Sequence, residues 1–201
     1  MSGYTVRALD GSTWDAFARL VDKHNGCGFG GCWCTWFHTR EGRPEGEVGR
    51  PWKERLVREG KAHAALVFDG DTAVAWCQYG SPEELPRIYH RKEWEAGLTG
   101  EPPAYRLTCI FVDRDYRRKG VAGAAIRGAL DLIAQAGGGV VEGYPHDLQE
   151  GEKMRSQFLY SATRSLFEEI GFSYERPKGK KNCVMRTTVS PVKATRRARA
   201  G

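Results

Sequence analysis

Two hydrophobic periods alternate along the chain, one of about two residues and one of about three to four. Residues 5–9 suit a strand. After Gly11-Ser12-Thr13, Trp14, Phe17, Leu20 and Val21 recur at helical spacing, with Ser12 or Thr13 as the cap, and the helix stops near Asn25-Gly26. Residues 41–50, rich in Gly, Glu and Arg, read as a loop into a second helix over 51–60. Its Trp52, Leu56 and Val57 form one apolar stripe, and its Lys and Arg residues read as a solvated face. Residues 62–68 and 73–79 flank Asp69-Gly70-Asp71-Thr72 and predict a β-hairpin. The charged stretch 82–100, with Pro86 and a short helix over 91–96, reads as an insertion or lid whose His90 is exposed.

The segment from Tyr105 to Arg127 organises the rest. Leu107, Cys109, Ile110, Phe111 and Val112 make a run short enough for a strand, a charged turn follows at 113–116, and an Ala-rich helix over 120–136 ends at Gly137-Gly138-Gly139. A strand feeding a Gly-containing loop into a helix start makes an anion site. The first amides of the helix have no partners within it and lie at the positive end of its dipole. The N–H groups of Arg118 to Gly123 can thus face a phosphate, Gly120 lets a ligand approach the backbone, and Arg114, Arg117, Arg118 and Lys119 supply charge. Residues 140–145 read as a buried strand parallel to the central one, as a strand-helix-strand crossover requires. A helix over 156–170 stops at Gly171, and 172–176 with 183–189 close the sheet as a final hairpin.

Neither Gly-x-Gly-x-x-Gly after a strand nor Gly-x-x-x-x-Gly-Lys-Ser/Thr occurs, which removes the simplest Rossmann and P-loop readings. Arg117-Arg118-Lys119-Gly120-Val121-Ala122 instead resembles the Gln/Arg-x-x-Gly-x-Gly/Ala pyrophosphate loop of the GNAT superfamily, the acyl-CoA-dependent N-acyltransferases. Leu166-Phe167-Glu168-Glu169-Ile170-Gly171-Phe172 is similar to that family's second motif, a helix ending in Gly-Phe, and the two motifs span roughly the C-terminal half of the chain. The resemblance implies an α/β (α+β) fold with a mixed, mostly antiparallel sheet of about six to seven strands, flanked by helices and splayed between its central parallel pair. It also implies acetyl-CoA as cosubstrate. Arg117, Arg118, Lys119, Gly120, Val121, Ala122 and Gly123 would hold its phosphates, and the backbone of Cys109, Ile110, Phe111 and Val112 its pantetheine arm.

Attack of an amine on a thioester needs a neutral amine, a polarised carbonyl and a proton for the leaving thiolate. An N–H near Phe111 or Val112 would hold the carbonyl oxygen. Glu142, on the strand facing the gap, is the first candidate for the base; a place on the wrong side of that strand is the equal alternative, and Asp147 and His146 are the fallbacks. The family's usual acid is a Tyr at the position of Phe167, so that role passes to Tyr160 or Ser161, about two helical turns earlier, or to Tyr144. Packing or capping is the plain alternative for each.

Cys27-Gly-Phe-Gly-Gly-Cys32-Trp33-Cys34-Thr-Trp36-Phe37-His38 is the least ordinary stretch. Cys27, Cys32, Cys34 and His38 number enough for a zinc site, but Cys-x4-Cys-x-Cys points neighbouring thiols awkwardly. No metal is expected, and a disulfide still less in a reducing compartment. The plain reading is a buried loop whose small thiols pack beneath Trp33, Trp36 and Phe37. In the GNAT fold the loop joining the first two helices lines the acceptor side, and bacterial members carry a similar Cys-Trp-Cys loop. This implies Trp33, Cys34, Trp36 and Phe37, with Trp76 and Tyr144, as a wall for an apolar, aromatic or cationic acceptor; core packing is the equal alternative.

At 201 residues, 40% hydrophobic and 28% charged, the chain suits one domain over 1–190. Lys193, Arg196, Arg197 and Arg199 carry most of the net charge of +6, and 191–201 reads as a basic solvated tail rather than a nucleic-acid arm. No apolar run approaches the roughly 18 residues of a membrane span, and the first residues lack the regions of a signal peptide, so a cytoplasmic protein is expected. The leading expectation is acetyl transfer from acetyl-CoA to a primary amine of a small-molecule acceptor. Acetylation of a protein Lys or N-terminus needs a more open groove. A GNAT-shaped ligand-binding protein without catalysis is the reading from another class, and a homodimer is compatible with each.

Overall fold

The computed structural model describes residues 3–25, 33–39, 49–148, 154 and 160–192. The first strand, β1 (Thr5–Ala8), pairs antiparallel with β2 (His63–Asp69), β2 with β3 (Thr72–Gly80), and β3 with β4 (Tyr105–Val112). The hairpin between β2 and β3 closes at the pair Asp69↔Thr72, with Gly70 at φ 58°, in the left-handed region a two-residue turn demands. Three more strands complete the sheet: β5 (Gly139–Gly143), β6 (Ser173–Lys178) and β7 (Asn182–Val189), in the order β1-β2-β3-β4-β5-β7-β6. Only β4 and β5 are parallel, and the seven-stranded mixed sheet between helices is the architecture the two motifs imply.

The connection between the parallel pair is α4 (Val121–Gln135). Its Val121, Ala125, Ile126, Ala129 and Ile133 are buried against Ala65, Val67, Ala75, Cys77, Leu107 and Ile110 of the central strands. Small side chains let this helix lie close; a Cβ on Gly128 would run into Val6 of β1. The opposite face carries α1 (Trp14–Lys23) and α2 (Arg50–Arg58), which cover Leu66, Phe68 and Trp76 with Phe17, Val21 and Val57. Two shorter helices, α3 (Arg91–Ala96) and α5 (Arg164–Ile170), flank the C-terminal half of the sheet.

Three local expectations need correction. Thr13 stands at the N-cap of α1, but its hydroxyl donates to the carbonyl of Ala8 and accepts from the amide of Asp10, so it fixes the preceding turn and leaves the helix amides uncapped. Lys53, read as part of a solvated face, is 1% exposed. The helix expected over 156–170 begins only at Arg164, because Thr163 is extended and its hydroxyl accepts from the amide of Leu166, and Ala162 is left-handed at φ 57°. Residues 156–159 lie outside the described set, as do 193–201 of the basic tail.

Gly143 ends β5 beneath α5, and a Cβ there would fall inside the ring of Phe167, itself packed on Phe172 at 4.8 Å. Gly143→Ala is therefore expected to cost about 1–3 kcal/mol of stability. Urea unfolding measures this, and Phe167→Leu in the same chain should restore part of the loss.

Candidate active site

Parallel pairing of β4 and β5 runs from Tyr105↔Val141 through Arg106↔Glu142 to Leu107↔Gly143 and stops. On the other side of β4, Gln78 pairs with Cys109 and Tyr79 with Leu107, so Thr108 is the extra residue of a β-bulge. Leu107 and Ile110 consequently both pack on the α4 side although three residues apart, while Cys109 joins Trp76 in the opposite cluster. Past the bulge the edge of β4 that faced β5 is open to another partner. The amide of Ile110 donates to the carbonyl of Tyr160 at 2.6 Å, and the same turn is tied to the end of β5 by His146 N to Ala162 O at 3.1 Å and Arg164 N to His146 O at 2.9 Å.

A cavity of about 170 Å³ opens beside this junction, walled by Phe37, Thr108, Tyr144, Tyr160, Ser161 and Lys178 and closed further by Ile88, Tyr89, His90 and Asn182. Phe37, Tyr144, Tyr160 and Ser161, nominated for different roles, thus converge on one space. The remaining aromatic candidates do not line it. Trp33 stacks on Trp14 at 5.9 Å, and Trp76 stacks on Phe111 at 4.5 Å and is 1% exposed, so both indoles are core. Trp36 lies one layer out, stacked on Tyr89 at 4.3 Å beneath the guanidinium of Arg87. Cys34 is buried with its Sγ 3.0 Å from that of Cys109, which seats the Trp33-Cys34 turn against the bulge. Cys27 and Cys32, the other thiols of that loop, lie outside the described residues.

Glu142 is fully enclosed within the sheet layer and does not line the cavity. Its Oε2 accepts from Trp94 Nε1 at 2.8 Å and from the Tyr144 hydroxyl at 2.9 Å, while its Oε1 faces Arg186 Nε at 3.0 Å. Cross-strand register places it between Arg106 on β4 and Arg186 on β7. Arg106 is 4% exposed, donates to the carbonyl of Leu85 and lies over the Trp94 ring. With its oxygens occupied, this carboxylate holds Tyr144 in the cavity wall. Burial, first of all, pushes the Tyr144 and Tyr160 phenols up, so both stay protonated near neutral pH. Phe167, where the family's usual Tyr would stand, is 1% exposed and part of the core.

Sequence reasoning missed a polar chain behind the cavity. Lys53 donates to Gln78 Oε1 at 2.9 Å, Gln78 donates to the Thr108 hydroxyl at 3.1 Å, and Lys53 stands 3.3 Å from His38 Nε2. Lys178 was missed as well, because a hairpin Lys normally points to water. The run Lys178-Gly179-Lys180-Lys181 was its only trace, and it reads as a turn.

At the other end of β4, Asp113 ties the chain to α1. Its carboxylate takes Lys23 Nζ at 2.7 Å and the amide of Asp115 at 3.1 Å, with His24 Nε2 at 3.2 Å. The loop beyond reaches Gly120, left-handed at φ 74° as N-cap of α4, with open space where a Cβ would point. Arg117, Arg118 and Lys119 are exposed around it. Val121, Ala122 and Gly123 form the first turn of α4, whose amides face this loop. Open backbone N–H groups, a glycine cradle and three cations suit a phosphate ester, and the edge of β4 that has parted from β5 leads from there to the cavity.

The acetyltransferase (GNAT) family model matches residues 28–144, more than half of the chain. The protein therefore belongs to the GNAT family of acetyltransferases. Among solved structures it is similar to an N-acetyltransferase from Staphylococcus aureus Mu50 (8% identity, 93% of this chain and 98% of that one, TM-score 0.52). It is similar also to a GNAT-family protein from Desulfovibrio desulfuricans (16% identity, 94% and 100%, TM-score 0.51) and to a GNAT-family acetyltransferase from Streptococcus agalactiae 2603 (12%, 92% and 95%, TM-score 0.51). At such identities the likeness is one of fold. No curated protein matches the chain. Among the described residues no helix is long and apolar enough to cross a membrane.

The buried imidazoles give the fold an acid limit. Burial, and then the charge of Lys53, push His38 down to about 2, and burial lowers His24 as well. His38 stays neutral when folded but binds a proton below about 6.5 when unfolded, and His24 is shifted in the same direction, so the stability they contribute is present above that pH and lost as pH falls. The half-exposed His63 is raised by its bond to Glu84 and works in the opposite, smaller sense. Urea midpoints should fall from pH 7 to pH 5 with a slope of up to about 1.4 kcal/mol per pH unit per proton. His38→Gln should flatten that slope, and a midpoint independent of pH in the wild type would contradict this account.

Proposed function

We propose that the chain transfers an acetyl group from acetyl-CoA to the amine of a small molecule. The observation that carries this reading is the path from the glycine-capped start of α4, along the edge of β4 that has left β5, to a partly open cavity of about 170 Å³. A volume equal to about five or six waters, walled on one side by Ile88 and Tyr89, favours a small acceptor over a protein chain.

Bound acetyl-CoA supplies the thioester that an amine attacks. Arg117, Arg118 and Lys119 with the amides from Gly120 to Gly123 bind its phosphates, and the backbone of Ile110, Phe111 and Val112 orients its arm. The Ile110 amide, bonded to Tyr160 of the cavity wall, serves there once released from it. Tyr160, protonated and in the cavity wall, is positioned to give a proton to the departing sulfur, with Ser161 beside it. Glu142 acts at one remove, by holding Tyr144. The proton lost by the amine passes to water at the cavity mouth, since no carboxylate lines the cavity among the described residues.

Calorimetric titration with acetyl-CoA tests this. The wild type should bind in the micromolar range. Gly120→Glu should weaken binding at least tenfold by placing a carboxylate among the phosphate donors. Gly120→Ala, whose Cβ meets open space, should bind within a few-fold and cost only about 1 kcal/mol of stability for its left-handed backbone. A wild type that fails to bind acetyl-CoA overturns the proposal.

A further inference from the structure

Lys178 lies at the end of β6 with 3% of its surface exposed, and it is one of the residues that line the cavity. Its partners are the carbonyl of Tyr89, to which it donates at 2.5 Å, and the face of the Tyr144 ring at 4.6 Å. No carboxylate stands within ion-pair distance of it among the described residues. The buried cluster behind it is cationic in excess: Arg106 and Arg186 flank the single carboxylate of Glu142, and the Nε of Arg106 has no hydrogen-bond partner. Glu93, on α3, accepts from the amide of Gly179 at 2.7 Å. Burial, and then Arg106, push the Lys178 ammonium down to about 8 against the weaker opposing pull of Glu142 and Glu93.

A buried ammonium is costly unless paired with a negative charge, and the residue that carries this one lines the space an acceptor would fill. We propose that the acceptor carries one carboxylate alongside its amine, as a small amino acid does, and that Lys178 binds that carboxylate. One ammonium, with the Ser161 hydroxyl of the same wall as a further donor, balances a single negative charge; a dianionic phosphate would need a second cation in the wall. The same field favours reaction. A cationic wall without acids disfavours a protonated acceptor amine and so raises the share of the neutral form that attacks a thioester. This assignment rests on the acetyltransferase reading of the cavity and names its substrate class. It also replaces the expectation of a cationic acceptor.

The test uses three ring probes of similar size on the full chain: benzoate, benzamide and phenyl phosphate, with binding followed by ligand-observed NMR. The wild type should bind benzoate about tenfold tighter than benzamide, the scale of one charge-assisted hydrogen bond. Lys178→Met, which keeps the apolar stem, should erase that preference, and Lys178→Arg should retain it. In the wild type alone, benzoate but not benzamide should slow reductive methylation of Lys178, read by peptide mass spectrometry, which keeps the test open if a variant does not fold. Equal or absent binding of benzoate and benzamide at millimolar concentration, an undiminished preference in Lys178→Met, or tighter binding of phenyl phosphate than of benzoate would each overturn the assignment. The acetyl-CoA titration is independent of these probes, so failure of the cofactor reading and failure of the carboxylate reading are separable.

Discussion

Parallel strands β4 and β5 hold together for three residue pairs, and from Thr108 onward the sheet must satisfy the backbone of β4 in another way. An unpaired buried N–H is expensive, so a strand edge opened inside a protein has to meet either a ligand or another part of the chain. The bulge at Thr108 turns that constraint into a site. It changes which residues of β4 face α4, sets Thr108 in the cavity wall with its hydroxyl accepting from Gln78, and leaves the Ile110 amide to pair with the Tyr160 turn. The glycine-capped start of α4 follows β4 through the turn that Asp113 fixes to α1, so the anion loop and the open edge belong to one continuous piece of backbone.

The second organising element is electrostatic and lies across three strands. Arg106, Glu142 and Arg186 stand in register on β4, β5 and β7, with Trp94 of α3 donating to the same carboxylate. Such a cluster is weak evidence for stability, because desolvation cancels much of the attraction between its members. Its clearer effect is geometric. It pins α3 and Tyr144 to the sheet, and so fixes the wall of the cavity from behind while leaving a positive balance there.

Much of this was legible in the sequence because it is written in local periods. The β2–β3 hairpin, the small-residue helix α4 and the loop at Gly120 each declare themselves within a dozen or so residues. What periodicity does not carry is the identity of the neighbour. Trp33 and Trp76 have the same side chains whether they line a pocket or stack on Trp14 and Phe111, and only the packing of α1 over β3 decides between these. Lys53 sits on a charged helix yet points inward, because Gln78 and His38 await it from distant segments. Glu142 was placed on the right strand, but its role depended on two arginines far from it along the chain. The start of α5 was misread because the apolar pattern continues upstream, whereas Thr163 and the left-handed Ala162 end the helix sooner.

The bond from Ile110 to Tyr160 makes affinity at this edge partly a property of the unliganded protein. A ligand that needs the Ile110 amide binds only the fraction of molecules in which that bond is open, and its apparent dissociation constant is the intrinsic one divided by that fraction. An opening cost of about 1 kcal/mol, the net worth of one ordinary hydrogen bond, corresponds to a loss of about fivefold. The Tyr160 turn thereby sets a threshold concentration for occupancy before any ligand arrives.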